Sequence, residues 1–288
     1  MIEHLTFISY IIVFLLSTIG YGFIFSNTIY KDFYNYNIGW HGIIGFFTIS
    51  LLSIFTSFFF AHNFIHNSII HLIGLSSFLI YFYKKKNFGE IKWLFFLAFI
   101  LWIGTYVFKN HDDFPYYHLT YSLNLSENAF IVGTGSFSHG FRTFSSLFYY
   151  HSTLYMPFIK YYLFHIGPFL ILLFFNLIIL KKLFENYRLK KFDFIYFFSL
   201  LSFIFINIVF YRIGEHGTDR TAQILLVLIF LLLFEILYFQ NDKKKILLNF
   251  NILLIIIFLA SSMKAIYYLY LILIPIIFYK KKLIKIFS

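Results

Sequence analysis

Two adjacent aspartates, Asp112 and Asp113, stand inside the segment HDDFPYYHL at residues 111–119. Such a pair offers two kinds of chemistry. One carboxylate can act as a general base for an alcohol acceptor, or both can ligate a hard cation such as Mg2+ or Mn2+. Adjacent carboxylates repel, and partial burial would favour the protonated form of one. Tyr116 and Tyr117 share a helical face with Asp113, where their rings can stack on a sugar. His118 lies five residues past Asp113, about 140° around an α-helix of 3.6 residues per turn, so the two form no obvious dyad. The plainer reading makes Asp112 or Asp113 a helix cap with Pro115 in the first turn. Tyr116 and Tyr117 then belong to an interfacial aromatic belt.

Three further segments carry ionisable groups. GTGSFSHGFRT contains Gly133, Gly135 and Gly140, which allow backbone N–H groups to approach an anion, and Arg142, which can hold a phosphate bidentately. It lacks the G-K-[ST] of a P-loop. The alternative is a glycine-rich turn between two short helices, with His139 a satisfied loop histidine rather than a ligand. YRIGEHGTDRTAQ packs Glu215, His216, Asp219 and Arg220 together. Glu215 and Asp219 align if the turn is helical, and Thr218 can cap a helix whose N-terminus favours anions. The competing reading is a well-capped loop. Lys264 is a lone lysine between two apolar stretches, placed to snorkel to headgroups or to converge on a phosphate with Arg142 and Arg220. His165 and Asn176, about three turns apart on one helix, read as packing polars.

The elements that must position these groups are membrane helices. Hydrophobic residues make up 60% of the 288 and charged residues only 12%, against about a quarter charged in soluble domains. The expected fold is all-α: a polytopic integral membrane protein forming one domain over 1–288. Stretches of roughly 20 apolar residues fall at 5–26, 42–61, 67–83, 91–108, 161–180, 193–211, 222–240, 246–261 and 265–279. The N-terminal stretch lacks a basic n-region and a small-residue cleavage site, and reads as a retained helix. The long segment 109–160 keeps enough apolar residues for two short helices lying at the membrane surface. Absence of cysteine excludes disulfides, thiolate catalysis and zinc–sulfur sites.

Charge tests the nine-span arrangement. The lysine clusters at 84–86, 181–182, 190–191, 243–245 and 280–282, with Lys31, Lys92, Arg188 and Lys285, all fall on one side, 17 of the 23 basic residues. By the positive-inside rule that side is cytoplasmic, which puts the N-terminus outside and the C-terminus inside. The net charge of +11 therefore reads as topology signal rather than as a nucleic-acid footprint. The opposite side receives 109–160, the loop 212–221 and short turns near 62–66 and 262–264, with Asp112, Asp113, Glu127, Glu215 and Asp219 and with His62, His66, His111, His118, His139, His151 and His216.

The quoted motifs resemble those of multispanning glycosyltransferases of the GT-C fold, which place acidic residues in an extracytoplasmic loop bearing surface helices. More closely, HDDFPYYHLTYSL, HGFRTFSSLFYYHS and GEHGTDRTAQ resemble bacterial membrane proteins linked to surface-polysaccharide synthesis. The likeness covers roughly 109–223 of the sequence. In typical GT-C enzymes the acidic loop follows the first span, whereas about four predicted spans precede it here. The resemblance implies a bacterial inner-membrane enzyme that transfers a sugar from a polyprenyl-phosphate-linked donor to a glycan or lipid acceptor. Asp113 would be the base, Asp112 would assist or bind metal, and Arg142, Arg220 and Lys264 would hold phosphate. A polysaccharide polymerase or ligase would lean instead on Arg142 and His139. A transporter or flippase would need a midplane site built on broken helices, and only Pro168 and Pro275 lie within spans. A non-catalytic membrane subunit is the remaining alternative.

Overall fold

The computed structural model describes residues 2–28, 36–85, 88–106, 109–158, 164–239 and 242–281, and among these the chain is helical with no strand. In chain order the helices are α1 (Ile2–Thr28), α2 (Ile38–Ser57), α3 (Phe64–Lys85), α4 (Phe88–Leu101), α5 (Leu119–Glu127), α6 (Ser146–Ser152), α7 (Ile166–Arg188), α8 (Phe194–Val209), α9 (Gly217–Phe234), α10 (Lys243–Met263) and α11 (Leu273–Lys281). Seven are long and apolar enough to cross a membrane: α1, α2, α3, α4 with the 3-10 turn Trp102–Tyr106, α7, α9 with the π turn Glu235–Phe239, and α10. Of the nine stretches expected, 193–211 and 265–279 form shorter apolar helices. Lys31, Lys86, Lys160, Lys282 and Lys285 lie outside the described residues.

Local sequence sets the helix starts. Asn37 caps α2 by accepting the Trp40 N–H at 3.0 Å, which begins this span four residues before the apolar stretch starting at 42. Asp193 caps α8 and Asp242 caps α10 in the same way. Three spans then meet backbone to backbone through glycine. A Cβ on Gly45 would lie 1.7 Å from the Thr18 carbonyl oxygen, and one on Gly20 would lie 1.8 Å from that of Gly74. Small residues at helix contacts are how apolar helices associate when lipid offers no hydrophobic contrast. α7 is the central helix, buried on every side from Ile166 to Ile179. Asn176 on α7 exchanges two hydrogen bonds with Asn207 on α8, at 2.7 and 3.1 Å. Phe95, Phe96 and Phe99 on α4 and Ile204, Phe205 and Ile208 on α8 are exposed, an apolar surface suited to lipid chains.

The segment 109–158 departs from expectation in one respect. α5 lies at one end of the bundle, as a surface helix should. α6 does not: every residue from Ser146 to Ser152 is buried. Its hydroxyl groups are answered one by one across the bundle. Ser146 Oγ meets Ser262 Oγ of α10 at 2.7 Å, and Tyr150 OH meets Thr18 Oγ1 of α1 at 2.8 Å. Ser152 Oγ meets His62 Nδ1 at 2.6 Å. With its hydroxyls paired, the helix can sit inside the protein at little cost, and on it the His151 Nε2 alone keeps no partner.

Ionic groups collect at the two ends of α7 and α9. At one end Lys181 pairs with Glu90 and Lys182 with Glu235. The other end, at the N-termini of α7 and α9, carries the segments that hold the candidate site.

Candidate functional site

The site begins with the backbone of HDDFPYYHL. Residues Phe114–His118 form a π turn, not an α turn. The His118 N–H reaches the Asp113 carbonyl at 3.4 Å, and the Leu119 N–H reaches that of Phe114. Bonding five residues back stacks residue 118 over residue 113. That explains why Asp113 and His118, which an α-helix would hold about 140° apart, come together here. Asp113 has αR backbone angles and makes no side-chain cap. Its Oδ2 instead accepts the Tyr117 hydroxyl at 3.0 Å. Asp112 turns the other way, 86% exposed and 3.8 Å from Lys109, so the two carboxylates do not share one site.

This turn is docked on the segment before α9. The His111 N–H donates to the Gly214 carbonyl at 3.1 Å, and the His111 ring lies on Gly217. Gly217 has φ +52°, and a Cβ there would stand 2.7 Å from His111 Cδ2. Only glycine combines this left-handed backbone with so close a neighbour. The same left-handed start gives α9 its N-cap at His216, and Thr218 does not cap it; its hydroxyl donates to Asp219 Oδ1 at 3.2 Å. Asp219 therefore places its own carboxylate in the first turn of α9, where the helix dipole favours an anion.

Asp219 pairs with Lys264, the residue that ends α10. Glu215 is nearly buried, between Arg212 at 3.4 Å and Arg220 at 3.2 Å. Glu215 and Asp219 thus serve different partners rather than acting as one aligned pair. A groove of about 360 Å³ opens beside Asp219 and Lys264, walled by Gln223, Ile266, Tyr267 and Tyr270.

The electrostatics link the two patches. His118 is lowered to about 4, chiefly by burial and then by His111 and Lys264, with Asp113 and Asp219 opposing. Burial pushes the Tyr117 hydroxyl up to about 12, helped by its bond to Asp113 and by the charges of Asp113 and Asp219. Asp113 and Asp219 therefore act on the same two side chains, and Lys264 on His118, although the two aspartates lie about a hundred residues apart.

Behind His118 lies a buried pocket of histidines. His111, His118, His151 and His165 line a cavity of about 10 Å³, room for about one water, closed by Phe114 and Phe148. The His111 and His118 rings stack at 5.0 Å, and Phe114 stacks on His165 at 5.1 Å. Burial holds His165 down to about 4 and His151 well below its ordinary value. His165 thus belongs to the site's floor and is not only a packing residue.

The other candidates lie further out. Tyr116 is 76% exposed, away from the Asp113–Tyr117 contact. His139 and Arg142 sit on the exposed glycine-rich turn, where Arg142 Nε donates to the Gly135 carbonyl at 2.9 Å. The turn leans on the site through Gly140, whose missing Cβ would lie 2.4 Å from that of Tyr117. Sequence reasoning missed His151 and a second histidine network around His62. His62 bonds Ser152 and Thr56, His66 bonds Thr56 and Asn67, and Asn67 donates to three backbone carbonyls. The dense AHNFIHN between two spans was the available signal for that network.

Comparison with protein-family models, with curated proteins and with solved structures gives no match.

Proposed function

We propose that this protein is a bacterial inner-membrane glycosyltransferase that works at the outer face, taking a sugar from a polyprenyl-phosphate-linked donor. One observation carries the reading. Asp113 and Tyr117 from one segment, and Asp219 and Lys264 from two others, gather around His118 beside an apolar-walled groove. A groove with Ile266, Tyr267 and Tyr270 on its wall and an ionic pair at its head suits a lipid carrying a phosphate. The orientation follows from charge: the lysine clusters gather at the opposite end, so this end faces outward with the N-terminus.

In this reading Asp113 takes the proton from the acceptor hydroxyl as that oxygen bonds to the sugar's anomeric carbon. The bond from that carbon to the phosphate oxygen breaks, and the lipid phosphate leaves with the electron pair. Lys264 and Arg220 meet the charge that develops on it. Tyr117 holds Asp113 in place. The acceptor is a surface glycan or lipid. Arg142 and His139, on which a polymerase or ligase would lean, stand on the exposed turn that rests on Tyr117 through Gly140.

The test is complementation of a deletion strain, with surface glycan measured by monosaccharide analysis and membrane insertion measured in parallel. Asp113→Asn is expected to insert normally and leave the glycan at the deletion level, whereas Asp112→Asn restores it. Normal glycan with Asp113→Asn would remove the proposal.

A further inference from the structure

The histidines of this end fall into two groups. Around His62 every ring nitrogen has a partner: Ser152 and Thr56 for His62, Asn67 and Thr56 for His66. That network is complete as it stands. His118 differs. It is 5% exposed, and its Nε2 has no hydrogen-bond partner. Buried ring nitrogens are normally satisfied, so an orphan beside other donors asks for a ligand.

The donors are there. His111, Asp113 and His118 each offer one ligand atom, all within 4.8 Å of one another. We propose that these three side chains form a binding site for a divalent first-row transition cation, of the zinc or manganese kind rather than magnesium or calcium. Two imidazoles and one carboxylate form a mixed nitrogen–oxygen set that such ions accept, whereas magnesium and calcium take oxygen ligands. The spacing agrees. His111 Nδ1 and Asp113 Oδ2 are 3.9 Å apart, a gap that one cation with ligand bonds of about 2.0–2.2 Å can bridge. The cation takes over the lone pair that the Asp113 N–H meets at 3.1 Å.

The surroundings hold the set in place. The π turn stacks His118 over Asp113, and Gly214 and Gly217 fix His111 from the other side. Tyr117 orients the carboxylate from outside, the role second-shell donors play at metal centres. Three protein ligands leave coordination positions open. If the transferase reading above holds, these take a phosphate oxygen of the donor; binding of the cation does not depend on it.

The experiment uses the full chain in detergent, with any polyhistidine tag removed and metal stripped by a chelator, titrated with Co2+ and followed by its visible absorption. Zn2+ is then added as competitor. The expected result is one equivalent of Co2+ displaced by Zn2+ but not by excess Mg2+. Affinity should fall at least tenfold in Asp113→Asn and in His118→Gln, and stay unchanged in His139→Ala. Each variant is first shown to be monodisperse, and Asp113→Asn alone decides the outcome should His118→Gln fail to fold. Absence of Co2+ binding in the wild type, or equal binding in Asp113→Asn, overturns the site. Neither result bears on glycan synthesis, so the two proposals fail separately.

Discussion

Acidification should unfold this protein well before its carboxylates titrate, because buried histidines are kept neutral. His62, His165 and His216 lie outside both the spans and the proposed metal ligands. His62 is lowered to about 3 by burial and by His66, with a backbone bond from Ser53 opposing. His165 is lowered to about 4 by burial. His216 is lowered to about 4 by burial, with Arg220 and His165 adding to the effect and the Phe210 carbonyl and Glu215 opposing it. Above the ordinary histidine value near 6.5, folded and unfolded chains are both neutral and pH has no effect through these groups. Below it the unfolded chain takes up protons that the folded one refuses. Stability is therefore lost as pH falls from 6.5 towards the folded values. Each histidine contributes about 1.4 kcal/mol per pH unit, so the three together contribute about 4 kcal/mol per unit once pH is below about 6. Against a total of about 5–15 kcal/mol for a typical protein, one unit of acidification is decisive. The assay is thermal unfolding in detergent, followed by intrinsic fluorescence between pH 7.5 and 5. The melting temperature is expected to be flat above about 6.5 and to fall steeply below it. His62→Gln should reduce the slope by about 1.4 kcal/mol per pH unit. A melting temperature independent of pH down to 5, or a slope unchanged in that variant, would refute the reasoning.

Two further substitutions probe how the site is held. Gly217→Ala forces a side chain into the left-handed region at a cost of about 1–2 kcal/mol and drives a Cβ into His111. It should lower the melting temperature and weaken Co2+ binding together, whereas an unaltered Co2+ spectrum would mean His111 is not held there. Glu215→Gln leaves Arg212 and Arg220 without their shared carboxylate. Because both arginines are partly in solvent, the expected loss is about 1–3 kcal/mol, read by thermal unfolding and partly restored by the double variant with Arg220→Gln.

The helices that build the bundle were legible because hydropathy and charge are properties of single residues summed over a window. Boundaries were less so: Asn37 starts α2 before the apolar stretch does. The Asp113–His118 contact was hidden by an assumption of α-helical period, since nothing in FPYYH announces a π turn. The Thr218 cap was misread for a related reason. Gly217 adopts a left-handed conformation that lets His111 in, and Thr218 is then a helical residue bonded to Asp219. α6 was misplaced because Ser, Tyr and His in SLFYYHS look like surface residues until their partners are known. Those partners are Thr18, His62, Tyr121 and Ser262, distant in sequence and visible only once folded. The site's gathering of Asp113 with Asp219 is of the same kind: each motif was legible, their meeting was not.

The burial of α6 also imposes an order on biogenesis. The ribosome delivers α10 about a hundred residues after α6, yet Ser146 finds its partner on α10 and Tyr150 finds its own on α1. The stretch must therefore wait, incompletely packed, until the later helices have entered the bilayer. Synthesis halted before Ser262 would yield a chain whose candidate site had never closed.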